Sequence, residues 1–324
     1  TRHAPAMVGL TVSALSIALY FGATVLVFKN RWVIDFAPQA AAVVLAYVGT
    51  STLNYLIEGR QKLMMKRLLR QMVPEQVADK FIDSGKDITK RQERKPLTLF
   101  FMDFAGFTSL SEKVEPDQLV PLINRYHETA TEEIFREGGT LDKFMGDAIM
   151  AFWGDPMEQS DQMARACRAA LSLQDRLRHL AEDAEKHGLP GIRARVGINS
   201  GMAVVACVGS TRRLNYTAMG DEVNLASRLE GVNKEFGTSI IVSESTYAGA
   251  KDIVDVRELA LIVVKGKTLA VRIYEVLGLK GGVPANRLAA ARRFEEGLAH
   301  FRKREWDKAS LIFKSSPDDK AAKA

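Results

Sequence analysis

The sequence predicts an α+β fold with a largely antiparallel sheet, preceded by two membrane-spanning helices. Three observations predict it. Residues 4–28 and 36–57 are uncharged or nearly so over spanning length. Short β-rich segments fold back on one another at glycine-containing turns, as in Leu141–Trp153. Amphipathic helices are interspersed with these hairpins instead of alternating strictly with single strands.

With 324 residues, two or more domains are expected. The formal net charge of +6 is a local excess, so no nucleic-acid partner is expected. Two cysteines, Cys167 and Cys207, are too few for a disulfide framework or a zinc site and fit a reducing compartment. The first apolar run is not read as a signal peptide: the chain opens on Thr1, without a basic leader or a small-residue cleavage site, as expected of a fragment of a longer protein. Arg60, Lys62, Lys66, Arg67 and Arg70 follow the second run against a single acid. By the positive-inside rule that end is cytoplasmic. The expectation is a multi-pass protein of the inner or plasma membrane, with the lipid bilayer as a partner and the catalytic part in the cytoplasm. Any sensor domain upstream would then need a further span.

Residues 59–95 are read as juxtamembrane helices and linker. Met65, Leu69 and Met72 recur at helical spacing, and Pro74 opens a fresh helix. This segment serves equally as a basic linker or as a pair of coupling helices, one per protomer. A structured domain is expected over residues 96–279. Leu97–Met102 is a buried strand closed by Asp103, and Phe104–Thr108 leads into a helix through Leu110. Pro116–Arg136 is an amphipathic helix, and Leu141–Trp153 a hairpin turning at Met145-Gly146-Asp147. Ser160–Lys186 is a long helix. Ile192–Asn199 and Met202–Val208 are expected as a second hairpin joined at Ser200-Gly201. Leu214–Met219 leads through Gly220-Asp221 into a helix carrying Asn224 and Arg228, and Ser239–Val242, Val254–Val264 and Ala270–Leu277 complete the strands. Residues 280–324 read as a linker and one tetratricopeptide-like helix pair.

A carboxylate at the end of a buried strand, followed by a glycine loop at a helix start, suits a triphosphate: the helix terminus offers free N–H groups and Asp103 can hold a divalent cation. Asp147, at a hairpin tip, supplies a second carboxylate, and two metals bridged by two aspartates suit in-line attack at phosphorus. Taken alone, Lys143 and Asp147 also fit a solvated turn, Arg228 a surface arginine and Lys265 a strand-edge lysine.

Phe101-Met-Asp-Phe-Ala-Gly-Phe-Thr108, Lys143-Phe-Met-Gly-Asp147, Arg195-Val-Gly-Ile-Asn-Ser-Gly201, Gly220-Asp-Glu-Val-Asn-Leu-Ala-Ser-Arg228 and Val264-Lys-Gly-Lys267 follow in order. In these motifs the chain closely resembles the class III nucleotide cyclases over Pro96 to about Leu279. The resemblance implies a ferredoxin-like catalytic domain that works as a homodimer with sites at its interface. It implies a metal site of Asp103, Phe104 and Asp147 for two Mg²⁺ or Mn²⁺ ions. It makes Asn224 the ribose-orienting residue and Arg228 the transition-state arginine, on one face of one helix. Arg195 and Lys265 would bind the triphosphate, with Lys267 as an alternative to Lys265, and Gly106, Phe107 and Thr108 would line the phosphate loop. Lys143 matches the adenine-reading lysine, which favours ATP over GTP. The second reading position, usually aspartate, is Thr217, as in a threonine-containing subset of adenylate cyclases. A hydroxyl can accept from the adenine amino group or, by rotating, donate to guanine, so Lys143 is expected to discriminate more. The implied activity is conversion of ATP to 3′,5′-cyclic AMP and pyrophosphate. The rivals are a guanylate cyclase and a catalytically silent signalling or dimerisation module.

Overall fold

The computed structural model describes residues 14–25, 37–70, 92–112, 114–186, 191–210, 213–263, 270–315 and 319–322. The chain divides into two units, Thr1–Leu68 and Leu69–Ala324. In the first, residues 14–25 form helix α1 and Ala37–Arg70 helix α2. Among the described residues no helix is long and apolar enough to cross a membrane. This overturns the expectation of spans at 4–28 and 36–57, and with it that of a multi-pass membrane protein with its catalytic part in the cytoplasm. The second run carries Thr50, Ser51, Thr52 and Asn54 and continues unbroken into its basic stretch. The Thr50 and Thr52 hydroxyls bond back to the carbonyls of Ala46 and Val48. The connector at 71–91, with its expected helix at Pro74, lies outside the described residues.

In the second unit, strand β1 (Gln92–Ala105) is the spine of the sheet. Its centre is buried on both faces, as a continuous apolar run requires. Phe100 and Met102 point into one core, where helices α4 (Pro116–Arg136) and α5 (Gln162–Lys186) cover the sheet. A five-residue helix α3 (Phe107–Ser111) joins β1 to α4. The hairpin β2 (Thr140–Met145) and β3 (Ala148–Trp153) lies on one side of β1 and β4 (Arg193–Ser210) on the other. Beyond β4 come β6 (Ile240–Ser243), β8 (Val271–Leu279) and β7 (Val254–Ile262), while β5 (Arg213–Met219) pairs with the far half of β4. Among the described strands only β4 and β6 run parallel, so the sheet is mixed within an α+β fold.

The predicted turn at Ser200-Gly201 does not exist: β4 runs straight through it, with Ser200 opposite Thr98 and Gly201 opposite Leu97. The glycine serves a close approach instead, since a Cβ there would meet the Glu222 side chain at 2.7 Å. Helix α6 (Asp221–Phe236) crosses the second face of the sheet, burying Leu225 and Leu229 against Ile241 and Ile273. Its closest approach is at Gly197, where an added Cβ would lie 2.2 Å from the Glu230 nitrogen. A short helix α7 (Glu244–Ala250), capped by Ser243, was not read from the sequence. Helices α8 (Ala285–Arg302) and α9 (Trp306–Lys314) close the chain, with Phe294 in the same core as Leu225.

Candidate active site

Two clusters of predicted site residues form within one chain. The first gathers at the end of β1. Asp103 and Arg195 are register partners on β1 and β4, and Arg195 Nη2 donates to Asp103 Oδ2 at 2.8 Å. The other edge of the guanidinium binds Glu230 of α6, Nε to Oε1, at 3.0 Å. The Asp147 carboxyl is pushed from 3.8 up to about 6, first by burial and then by the hydrogen bond and charge of Asp103. Glu230 is pushed from 4.5 up to about 7, by burial and by Asp103, with Arg195 opposing.

Local chemistry holds these groups in place. Gly146 occupies the left-handed region at φ 68° and turns the hairpin that presents Asp147. His127 of α4 is sandwiched between Phe104 and Phe144, with ring centroids 5.6 and 4.6 Å away, which clamps the hairpin tip to the end of β1. Burial lowers the His127 pKa, while a hydrogen bond to the main chain of Asp147 works against the shift. Beyond Phe104, Gly106 takes φ 81° and starts α3 at Phe107, whose ring packs on the core; Thr108 follows in the same helix.

The two carboxylates fit a divalent cation. Asp103 raises the proton affinity of Asp147, which a cation between them would reverse, and such ions are commonly held by one or two carboxylates plus substrate phosphates. Among the described residues no group of three or more acidic, histidine or cysteine side chains is arranged as a complete metal cage, so the remaining ligands would come from main-chain oxygens such as that of Phe104 and from the substrate.

The second cluster joins β2 to β5. Lys143 Nζ donates to the Thr217 hydroxyl at 3.1 Å, and that hydroxyl donates to Asp142 Oδ2 at 2.6 Å. Asn224 is exposed and Arg228 half-buried, one turn apart on α6. Lys265 and its alternative Lys267 lie outside the described residues.

Three participants escaped the sequence reading. Glu230 sits two residues beyond Arg228, but its role depends on the α6 crossing at Gly197. His127 looked like one polar residue on an amphipathic helix. Asp142 directly precedes Lys143, yet strict alternation along β2 would send the two side chains to opposite faces.

Residues 89–278 match the adenylate and guanylate cyclase catalytic domain family. Adenylate cyclase 1 of Rhizobium meliloti is 40% identical over 207 residues, which are 64% of this chain and 31% of that protein. The chain thus spans about a third of that relative's length. The crystal structure of the adenylyl cyclase CyaB from P. aeruginosa aligns with a TM-score of 0.56 at 35% identity, over 60% of this chain and 100% of that one. The guanylyl cyclase Cya2 aligns with a TM-score of 0.55 at 34% identity, over 59% of this chain and 95% of that one. With the family match spanning more than half of its length, the chain belongs to the class III adenylate and guanylate cyclases.

Proposed function

We propose that this chain is an adenylate cyclase, converting ATP to 3′,5′-cyclic AMP and pyrophosphate at sites shared between two copies of the catalytic domain. The observation that carries the choice of ATP is the 3.1 Å contact between Lys143 and Thr217. An ammonium donor suits adenine N1, which accepts, and opposes guanine N1, which carries a hydrogen. The 40% identity to an adenylate cyclase supports the same choice.

In this reading Asp103 and Asp147 hold two Mg²⁺ or Mn²⁺ ions, with the Phe104 carbonyl beside them. Bound there, such ions lower the pKa of the attacking ribose 3′-hydroxyl and neutralise the triphosphate. Arg195 turns its guanidinium from Asp103 to the phosphates, with Lys265 assisting and the loop at Gly106, Phe107 and Thr108 offering main-chain N–H groups. Asn224 orients the ribose, and Arg228 meets the charge that grows on the α-phosphate in the transition state. The homodimer is supported by exposed apolar side chains on β2, β4 and β5: Phe144, Met145, Met202, Val208 and Met219.

The guanylyl cyclase Cya2, at 34% identity, favours a guanylate cyclase as the second reading. Turnover of ATP and of GTP by the purified chain, with and without Mg²⁺ or Mn²⁺, tests both. Cyclic AMP formed from ATP in preference to cyclic GMP from GTP is expected. Preference for GTP would establish the second reading, and no turnover of either would establish a catalytically silent module.

A further inference from the structure

We propose that Asp142 sets the choice of base: it accepts the hydrogen bond that the Thr217 hydroxyl donates and so leaves that hydroxyl a fixed acceptor, which admits the amino group of adenine and repels the O6 of guanine. The inference rests on the reading of Lys143 and Thr217 as the pair that contacts the base.

A threonine hydroxyl has one proton and two lone pairs, and left alone it rotates to suit its neighbour. The Thr217 hydroxyl is not left alone. It is buried at 5% exposure and donates to Asp142 Oδ2 at 2.6 Å, while Lys143 Nζ donates to its oxygen at 3.1 Å. The proton and one lone pair are therefore committed, and a lone pair is what remains to offer a ligand. Asp142 is itself fixed. Its side chain is fully buried, its Oδ2 also accepts from the Ala218 main-chain N–H at 3.2 Å, and Lys143 Nζ stands 3.2 Å from its Oδ1. Burial raises the Asp142 pKa while Thr217, Lys143 and the Ala218 N–H oppose the shift; facing donors at both oxygens, this carboxylate accepts, and turning it does not return the Thr217 proton.

The backbone explains how neighbouring residues reach one hydroxyl. The pairing of β2 with β3 shifts register between Leu141 and Lys143, so Asp142 drops out of the ladder at a bulge. A bulge re-aims side chains that alternation would otherwise send to opposite faces. The strand that carries Thr217 is anchored beside it: the Tyr216 hydroxyl donates to buried Asp155, which also accepts from Lys95 Nζ at 3.0 Å. An aspartate at position 217 could accept directly. Here the acceptor character is relayed through a hydroxyl from a carboxylate on β2, and the rotation that would have let Thr217 donate to guanine is blocked.

Competition binding tests this without turnover. The purified chain with Mg²⁺ is titrated with 3′-deoxy-ATP and 3′-deoxy-GTP, which have no 3′-hydroxyl to cyclise, against a fluorescent nucleotide. The wild-type chain should prefer the adenine analogue. Asp142→Ala should narrow the preference about ten- to a hundredfold, the range set by burying a mismatched polar pair, mainly through tighter binding of the guanine analogue. Asp142→Leu removes the acceptor without opening a cavity, and should do the same if the alanine variant folds poorly. In a Thr217→Val background, Asp142→Ala should change nothing further, because there is no hydroxyl left to orient. A preference unchanged within about twofold in both variants would overturn the role of Asp142 alone. So would an equal loss in the Thr217→Val background, since Asp142 would then act by another route. Binding of neither analogue by the wild-type chain, or a guanine preference, would overturn the adenylate cyclase reading and this inference together.

Discussion

Arg195 and Asp103 face one another as direct partners on β4 and β1, and the guanidinium that binds Asp103 at 2.8 Å binds Glu230 of α6 at 3.0 Å with its other edge. A strand-borne cation thus ties a sheet carboxylate to a helix carboxylate, with the Asp147 carboxyl drawn into the same cluster. Three acids and one guanidinium leave an excess of negative charge, which adds to burial in raising the pKa values of Asp147 and Glu230.

That excess predicts a stability that rises on mild acidification. Asp147 has a folded pKa of about 6 against an ordinary 3.8, so between those values the folded state holds a proton that the unfolded state has lost. Unfolding free energy then rises as pH falls through 6 and levels near 4. Glu230, at about 7 against 4.5, has the same sign and extends the window upward. Melting of the chelator-treated protein should show Asp147→Asn more stable than wild type above pH 7, with the gap closing towards pH 5. A gap that does not vary with pH would show that Asp147 titrates normally.

If the two carboxylates hold the metals, Asp103→Ala and Asp147→Ala should each lower kcat at least about a hundredfold, the scale of removing one transition-state electrostatic element. Both variants should keep the wild-type circular dichroism and dimer mass. Near-normal turnover by both would remove these residues from the metal site.

How far the sequence could be read depended on whether a signal was local or spatial. The β2–β3 hairpin and helix α4 were legible because glycine at a turn, proline at a helix start and apolar periodicity are local properties. The Ser200-Gly201 turn failed because small residues mark both turns and close approaches, and only the position of Glu222 decides between them. The spans failed because hydropathy of a run was weighed without the polar Thr50–Asn54 stretch that α2 carries through its middle. Within the site, motif residues such as Asp103 and Lys143 were legible one at a time. Their partners Glu230, His127 and Asp142 were not, because each is brought in by packing: a helix crossing, a ring stack and a bulge.

The crossing at Gly197 is open to a direct test. A methyl there would lie 2.2 Å from the Glu230 nitrogen and 2.4 Å from the Ala226 oxygen, both main-chain atoms that can yield only if α6 moves as a body. Gly197→Ala should cost about 1–3 kcal/mol, or roughly 2–4 °C in Tm per kcal/mol, and should lower kcat as well, because α6 carries Asn224, Arg228 and Glu230. Gly231→Ala, on the same helix with nothing within 4 Å of the added carbon, is the control and should be neutral or slightly stabilising. Equal Tm and kcat for both variants would mean that α6 is not held by close contact at Gly197.

The division of the site between copies makes a separate prediction. In the proposed dimer Asp103, Asp147 and Arg195 come from one protomer, while Lys143, Thr217, Asn224 and Arg228 come from its partner. A chain carrying Asp103→Ala spoils the metal half of both sites in its own homodimer, and one carrying Arg228→Ala spoils the other half of both. In the mixed dimer the two lesions fall together in one site, and the second site receives an intact half from each chain. Co-expression should therefore restore up to about half of the wild-type activity to the heterodimer, from two homodimers that are each nearly inactive. The measurement is cyclase activity of tagged, co-purified heterodimer against both homodimers, with subunit exchange verified by the tags. If verified heterodimer is as inactive as its parents, each site is built within a single chain, and the exposed apolar residues of β2, β4 and β5 need another partner.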